Sequence, residues 1–84
     1  MLERGRVVIS LAGRDKGRLL AVMQEEKNRV LICDGKERPV DRPKSKNIRH
    51  VEATEFSLSE TGLASDRALR KALRRLSSEL NVNT

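Results

Sequence analysis

Short apolar runs cut by turn residues fill the first fifty positions and leave few folds open to the chain. Residues 6–12 read Arg-Val-Val-Ile-Ser-Leu-Ala and stop at Gly13; residues 29–33 read Arg-Val-Leu-Ile-Cys and stop at Asp34-Gly35. Runs this short and this rich in β-branched side chains are strand-forming. Residues 18–24, Arg-Leu-Leu-Ala-Val-Met-Gln, fit a strand or a helix by periodicity alone. Their position between two strands decides for a strand, because a lone helix there would leave both neighbours without a pairing partner. Glu25 to Asn28 then forms a hairpin loop, and Asp34-Gly35 a tight turn in which Gly accepts positive φ without strain. Glu37 to Val40 is expected as a short fourth strand, with Pro39 marking an edge or a bulge. Residues 41–47 are expected as an exposed basic loop, and Ile48 to Glu52 as a fifth strand. Five short strands in about fifty residues predict a mainly β fold, a small curled five-stranded antiparallel barrel.

Several strands are apolar at consecutive positions, as in Val7-Val8-Ile9 and Val30-Leu31-Ile32, so both faces of the sheet call for cover. The C-terminal segment supplies a candidate. Leu69, Leu73, Leu76 and Leu80 recur at helical spacing, Ala68 and Ala72 widen the stripe, and Ser65 followed by Asp66 is a good helix start. The predicted organisation is a barrel over 1–52, an irregular linker over 53–64 and an amphipathic helix over 65–80, fraying from Asn81. Only Phe56 is aromatic, hydrophobic residues make up 37% of the chain and charged ones 36%, so the core is small and aliphatic. A core of that kind supports a net stability of a few kcal/mol.

The charge is uneven along the chain. Residues 1–50 hold 13 basic and 7 acidic side chains, while residues 51–84 hold 5 of each, so the whole excess of +6 falls in the first part. A basic segment joined to a neutral one points to a polyanion-binding module with an appendage. Two clusters carry the excess, Arg14/Lys16/Arg18 and Arg42/Lys44/Lys46/Arg49, both in or beside loops. Loops at one end of a small antiparallel barrel come together even when they are distant in sequence. Joined, these two would make a cationic patch that neutralises phosphates and gains from counterion release. Ser45, Asn47 and His50 add hydrogen-bonding groups.

Catalysis finds little foothold. Cys33 sits inside an apolar strand, His50 lies in a basic stretch beside Arg49 with no catalytic-triad pattern around it, and neither a phosphate-binding glycine loop nor metal-ligand spacing is present. The expectation is a binding protein without enzymatic activity, metal or cofactor. The N-terminus lacks a signal peptide's apolar segment, and no stretch has the roughly 18 apolar residues of a membrane span. A single cysteine fits a reducing, cytoplasmic compartment and no membrane role. The scarcity of aromatics also narrows the ligand: single-strand binders stack bases on aromatic rings, and proline-rich peptides dock in aromatic grooves. A folded phosphate surface such as structured RNA, read by shape and charge, remains.

The segments Gly5-Arg-Val-Val-Ile-Ser, Ala12-Gly-Arg-Asp-Lys-Gly17, Val30-Leu-Ile-Cys-Asp-Gly35 and Arg42-Pro-Lys-Ser-Lys-Asn-Ile-Arg-His50 together resemble a KOW-motif domain. The likeness is to the archaeal and eukaryotic large-subunit ribosomal proteins of the fourteen-e type and to short bacterial KOW-domain RNA-binding proteins. It covers slightly more than half the chain. Gly17 matches the family's glycine, preceded by Arg14, Asp15 and Lys16; Pro43, Lys44, Lys46, Asn47 and His50 match its Pro-Lys-x-Lys-Asn run with a following His. The resemblance implies an SH3-like barrel and RNA, usually ribosomal RNA, as ligand, and a role in translation or ribosome assembly. Beyond residue 52 the chain departs from the fourteen-e type, with a short linker and a basic helix in place of a long helical tail. The RNA-binding set expected from residues and resemblance together is Arg14, Lys16, Arg18, Arg42, Lys44, Lys46, Asn47, Arg49 and His50. The alternative is a protein-interaction module that docks on a ribosomal or other protein, through the barrel or through the leucine stripe of the helix.

Overall fold

The computed structural model of the chain describes residues 2–80; the fraying expected from Asn81 lies outside them. Among the described residues the elements are strands β1 (Arg6–Ser10), β2 (Leu19–Glu26), β3 (Arg29–Cys33), β4 (Lys44–Asn47) and β5 (Val51–Ser57), a 3₁₀ turn at Ile48–His50, and helix α1 (Asp66–Leu80). The fold is mainly β, one five-stranded antiparallel sheet in the order β4-β3-β2-β1-β5, with a C-terminal helix.

The connectivity forces the sheet to curl. β4 and β5 are its two edges, yet only the 3₁₀ turn separates Asn47 from Val51. Laid flat, four inter-strand spacings would hold the edges about 19 Å apart. Three residues of 3₁₀ helix span about 6 Å. The edges therefore approach each other without forming a ladder, and the result is barrel-like. Two irregularities help the bending. The β2–β3 register shifts between Val22 and Gln24, and the β1–β5 register shifts between Arg6 and Val8. At the second, the Thr54 hydroxyl donates to the Val7 carbonyl at 2.7 Å and accepts from the Phe56 amide at 3.1 Å, satisfying the groups that the shift frees.

Curling produces an inner and an outer apolar face. Val8, Leu20, Val22, Val30, Ile32 and Val51 form the inner cluster. Val7, Leu19, Ala21 and Cys33 form the outer one, which Leu63, Leu69 and Leu73 close. Leu76 and Leu80 pack at its margin. The helical stripe is thus turned onto the sheet. Ser65 caps α1, its hydroxyl accepting from the Ala68 amide at 3.1 Å.

Four boundaries differ from the sequence expectation. β2 runs on through Glu25 and Glu26, which pair with Val30 and Arg29, so the hairpin turn is Lys27-Asn28 alone. Residues 37–40 are not a strand. The Asp34 carboxylate accepts from the amides of Lys36 and Arg38, the Arg38 carbonyl accepts from Asp34 and Gly35, and the Val40 amide donates to Asp66 Oδ1. Pro39 has no N–H and the Arg38 and Val40 amides are taken, which leaves only the Glu37 amide, too few for a ladder. The fourth strand is Lys44–Asn47, inside the stretch expected as a basic loop, with Lys46 opposite Val30 and Lys44 opposite Ile32. Ile48–His50 is a 3₁₀ turn, and β5 starts at Val51 and runs to Ser57, through the first part of the expected linker. Phe56 consequently lies on a strand and packs against the outer cluster.

Gly35 holds the helix to the sheet. Its φ is +77°, and a Cβ there would stand 2.5 Å from the Asp66 carbonyl oxygen at the start of α1. The Arg70 guanidinium closes the contact by donating to the Gly35 carbonyl at 2.6 Å. Replacing Gly35 with Ala combines a left-handed backbone with a backbone clash, and a loss of about 2–4 kcal/mol is expected in urea unfolding.

Candidate nucleic-acid interface

In an antiparallel meander, alternate connections emerge at the same end of the sheet. The β1–β2 loop (residues 11–18) and the β3–β4 loop (residues 34–43) are such a pair. The first is shaped by two glycines at positive φ, Gly13 (+89°) and Gly17 (+86°). Backbone bonds from Lys16 to Gly13, from Arg18 to Asp15 and from Gly17 to Ser10 fold it tightly.

A buried polar network fixes this loop to β4. Ser10 is 1% exposed, and its hydroxyl reaches Asp15 Oδ1 at 2.6 Å. Lys46 is 7% exposed, and its ammonium donates to Asp15 Oδ1 at 3.1 Å and to the Ala12 carbonyl at 2.9 Å. Among the described residues no buried side-chain nitrogen or oxygen is left without a partner. Burial raises the Asp15 carboxyl, but the hydrogen bonds from Ser10 and Lys46 and the ammonium charge outweigh it and hold the group below its ordinary 3.8. Asp15 therefore points inward as the loop's anchor, while its neighbours Arg14 and Lys16 are exposed.

The nine sequence-derived residues fall into four groups. Arg14 and Lys44 meet at a shallow depression of about 210 Å³, which they share with Arg38 and with the carboxylates of Asp15, Asp34 and Glu37. Lys16 and Arg42 are exposed on the two loops. Arg49 and His50 are exposed on the 3₁₀ turn, whose end is tied to the β1–β2 loop by the Leu11 amide donating to the His50 carbonyl at 2.8 Å. The other three are engaged elsewhere. Lys46 is consumed by Asp15. Asn47 caps the 3₁₀ turn, its Oδ1 accepting from the Arg49 amide at 2.9 Å. Arg18 faces α1 and stands 3.7 Å from Glu37. Ser45 is likewise occupied, accepting from Arg29 Nε at 2.6 Å.

Sequence reasoning missed Arg38, which joins the depression because the Asp34 turn folds the β3–β4 loop back on itself. It also counted the C-terminal segment as neutral and placed no binding residue on the basic face of α1. Within Asp66–Leu80 there are five basic and two acidic residues, and the remaining acids of the C-terminal part, Glu52, Glu55 and Glu60, are on β5 or in the turns after it. A count along the sequence hid that separation.

Cys33 takes no part in this surface. It is fully buried in the outer cluster, and burial, with Asp34 and Asp66 adding to it, pushes its thiol up to about 12. Among the described residues no group of three or more His, Cys, Asp or Glu side chains could hold a metal ion, and no helix is long and apolar enough to cross a membrane. No protein-family model matches the sequence, and a search of curated proteins finds no match.

Two outcomes follow from this geometry. Lys46→Met leaves the Asp15 carboxylate buried without its cation and should cost about 3 kcal/mol in chemical denaturation, part of it recovered by Asp15→Asn in the same chain. Because Asp15 is depressed in the fold, its contribution is whole above 3.8, the ordinary value, and is lost as pH falls through the lowered one. Acid titration of stability should show that loss in the wild type and not in Asp15→Asn. Secondly, Cys33 should react with an aromatic disulfide reagent at neutral pH only as fast as the protein opens, and at full rate once it is unfolded in urea.

Proposed function

We propose that the protein binds structured RNA, with ribosomal RNA the leading candidate, and acts in translation or ribosome assembly in the cytoplasm. The observation that carries this reading is the end of the sheet where the two loops meet. There Arg14, Lys16 and Lys44 are offered to solvent on a loop and a strand that a buried Ser10–Asp15–Lys46 network joins, with Arg42 exposed on the neighbouring loop. Cations on a pre-ordered frame neutralise phosphates at a smaller entropic cost than cations on a free loop. Arg49 and His50 extend the surface along the 3₁₀ turn. The likeness of residues 5–50 to KOW domains supports the same ligand class, as does the lack of an aromatic platform for unstacked bases. In this reading Lys46 and Asn47 position the loops and the turn instead of touching RNA.

Docking on a protein through the leucine stripe has less support, since Leu69 and Leu73 are buried in the outer cluster.

Filter binding on folded ribosomal RNA over a range of KCl concentrations tests the reading. Affinity should fall steeply with salt, and Arg14→Gln with Lys44→Gln should lower the slope of log K against log salt by about 1.5 while leaving the thermal midpoint unchanged. A salt-independent interaction, or full affinity in the double variant, would refute it.

A further inference from the structure

A second cavity among the described residues, about 350 Å³, lies between the β3–β4 loop and α1. Leu19 and Leu73 form its floor. Four cations surround it: Arg18 from the start of β2, Lys36 from the loop, and Arg70 and Arg74 from successive turns of α1. Asp34 is the one carboxylate lining it, and Asp34 also borders the first depression, so the two basins share a wall.

The donor and acceptor inventory is lopsided. Asp34 Oδ1 already accepts two amides, and the Gly35 carbonyl already accepts from Arg70. Among the described residues Lys36 and Arg74 have no side-chain hydrogen bond and no ion pair. Arg18 has only the long 3.7 Å approach to Glu37, whose carboxylate is itself largely exposed. The groove thus offers two free cationic side chains, Lys36 and Arg74, and Asp34 Oδ2 as its one open carboxylate oxygen. A peptide strand presents N–H donors as well as acceptors and would leave its donors unpaired here. A phosphodiester presents only acceptors and carries the complementary charge.

We infer that this groove is a second phosphate-binding subsite for the same RNA, so that α1 belongs to the RNA-binding surface as well as to the core. This rests on the RNA reading above. The helix then has two faces with separate duties: Leu69 and Leu73 close the outer cluster, while Arg70 and Arg74 continue the cationic surface from the loops around the 34–38 turn. The apolar floor is closed by Leu19 and Leu73, which leaves the cations at the rim, where a backbone phosphate can reach them.

The test uses the full chain, folded ribosomal RNA and a polyglutamate peptide as probes, and the pair Lys36→Gln/Arg74→Gln. Neither residue is engaged in a side-chain bond, so the thermal midpoint should match the wild type. RNA affinity at low salt should drop roughly tenfold and the salt slope by about 1.5, on top of the effect of the Arg14/Lys44 pair. If the Arg14/Lys44 pair weakens RNA binding and the Lys36/Arg74 pair does not, the groove is not an RNA subsite although the RNA reading stands. If the wild type shows no salt-dependent RNA binding, both fall together. If the Lys36/Arg74 pair loses polyglutamate binding while keeping RNA affinity, the groove serves an acidic peptide and the inference is overturned.

Discussion

Leu19, Leu20, Ala21 and Val22 are all buried, yet neighbouring side chains on a strand point to opposite faces of the sheet. This stretch of β2 therefore has to be covered on both sides. Leu20 and Val22 are covered because the sheet curls over them; Leu19 and Ala21 are covered because α1 lies across the outside. Each solution imposes something on the rest of the chain. The curl requires edges that come close, which the 3₁₀ turn and the two register shifts allow. The outer cover requires a helix with one apolar stripe and a loop that lets it approach, which is where Gly35 enters. A domain with a single aromatic residue has few large side chains to spare, so the loss of either cover would expose much of its aliphatic core.

The polar network at the loop end is the counterpart of that apolar economy. Lys46 lies on β4 opposite Val30, on a position that would otherwise add to the inner cluster. Its ammonium instead reaches Asp15, which is aimed inward by the Gly13–Gly17 loop. A buried ion pair of this kind adds little net stability over an apolar pair of the same size, but it fixes which loop meets which strand. The result is a loop of fixed backbone whose outward side chains, Arg14 and Lys16, take no part in the hydrogen bonds that hold it.

The legibility of the chain followed the same division between apolar and polar determinants. β1, β2 and β3 could be read because their apolar runs carry the core, and α1 because its leucines keep one face. β4 could not: Lys-Ser-Lys-Asn has neither β-branched residues nor apolar alternation, and it pairs because β3 offers a free edge and Asp15 offers Lys46 a partner 31 residues away. The Glu37 to Val40 segment failed in the opposite sense. Its apolar Val40 and its spacing after a turn suited a strand, but the Asp34 and Asp66 carboxylates captured its amides, and one of those is 26 residues distant in sequence. Of the candidate interface, the exposed cations were legible as charge, whereas the inward turn of Lys46 and the capping role of Asn47 depend on partners that only the fold brings near.

Spatial charge also separates differently from charge along the sequence. The C-terminal part is neutral as a string, yet its cations lie on α1 and most of its acids on β5 and the turns that follow. The basic loops and the basic helix face meet around the 34–38 turn, and the carboxylates of Asp34 and Glu37 stand between them. Under the RNA reading proposed above, those two acids bear on selectivity. A uniform cationic face attracts any polyanion, with affinity set by charge density alone. A groove of four cations and one carboxylate beside a depression where three cations share the lining with three carboxylates would, in the proposed role, penalise a ligand that lays charge continuously across both and favour one whose phosphates fall on the cations. A folded RNA, with phosphates at separations set by its own tertiary structure, can meet that requirement, while a flexible polyanion must lose entropy to do so.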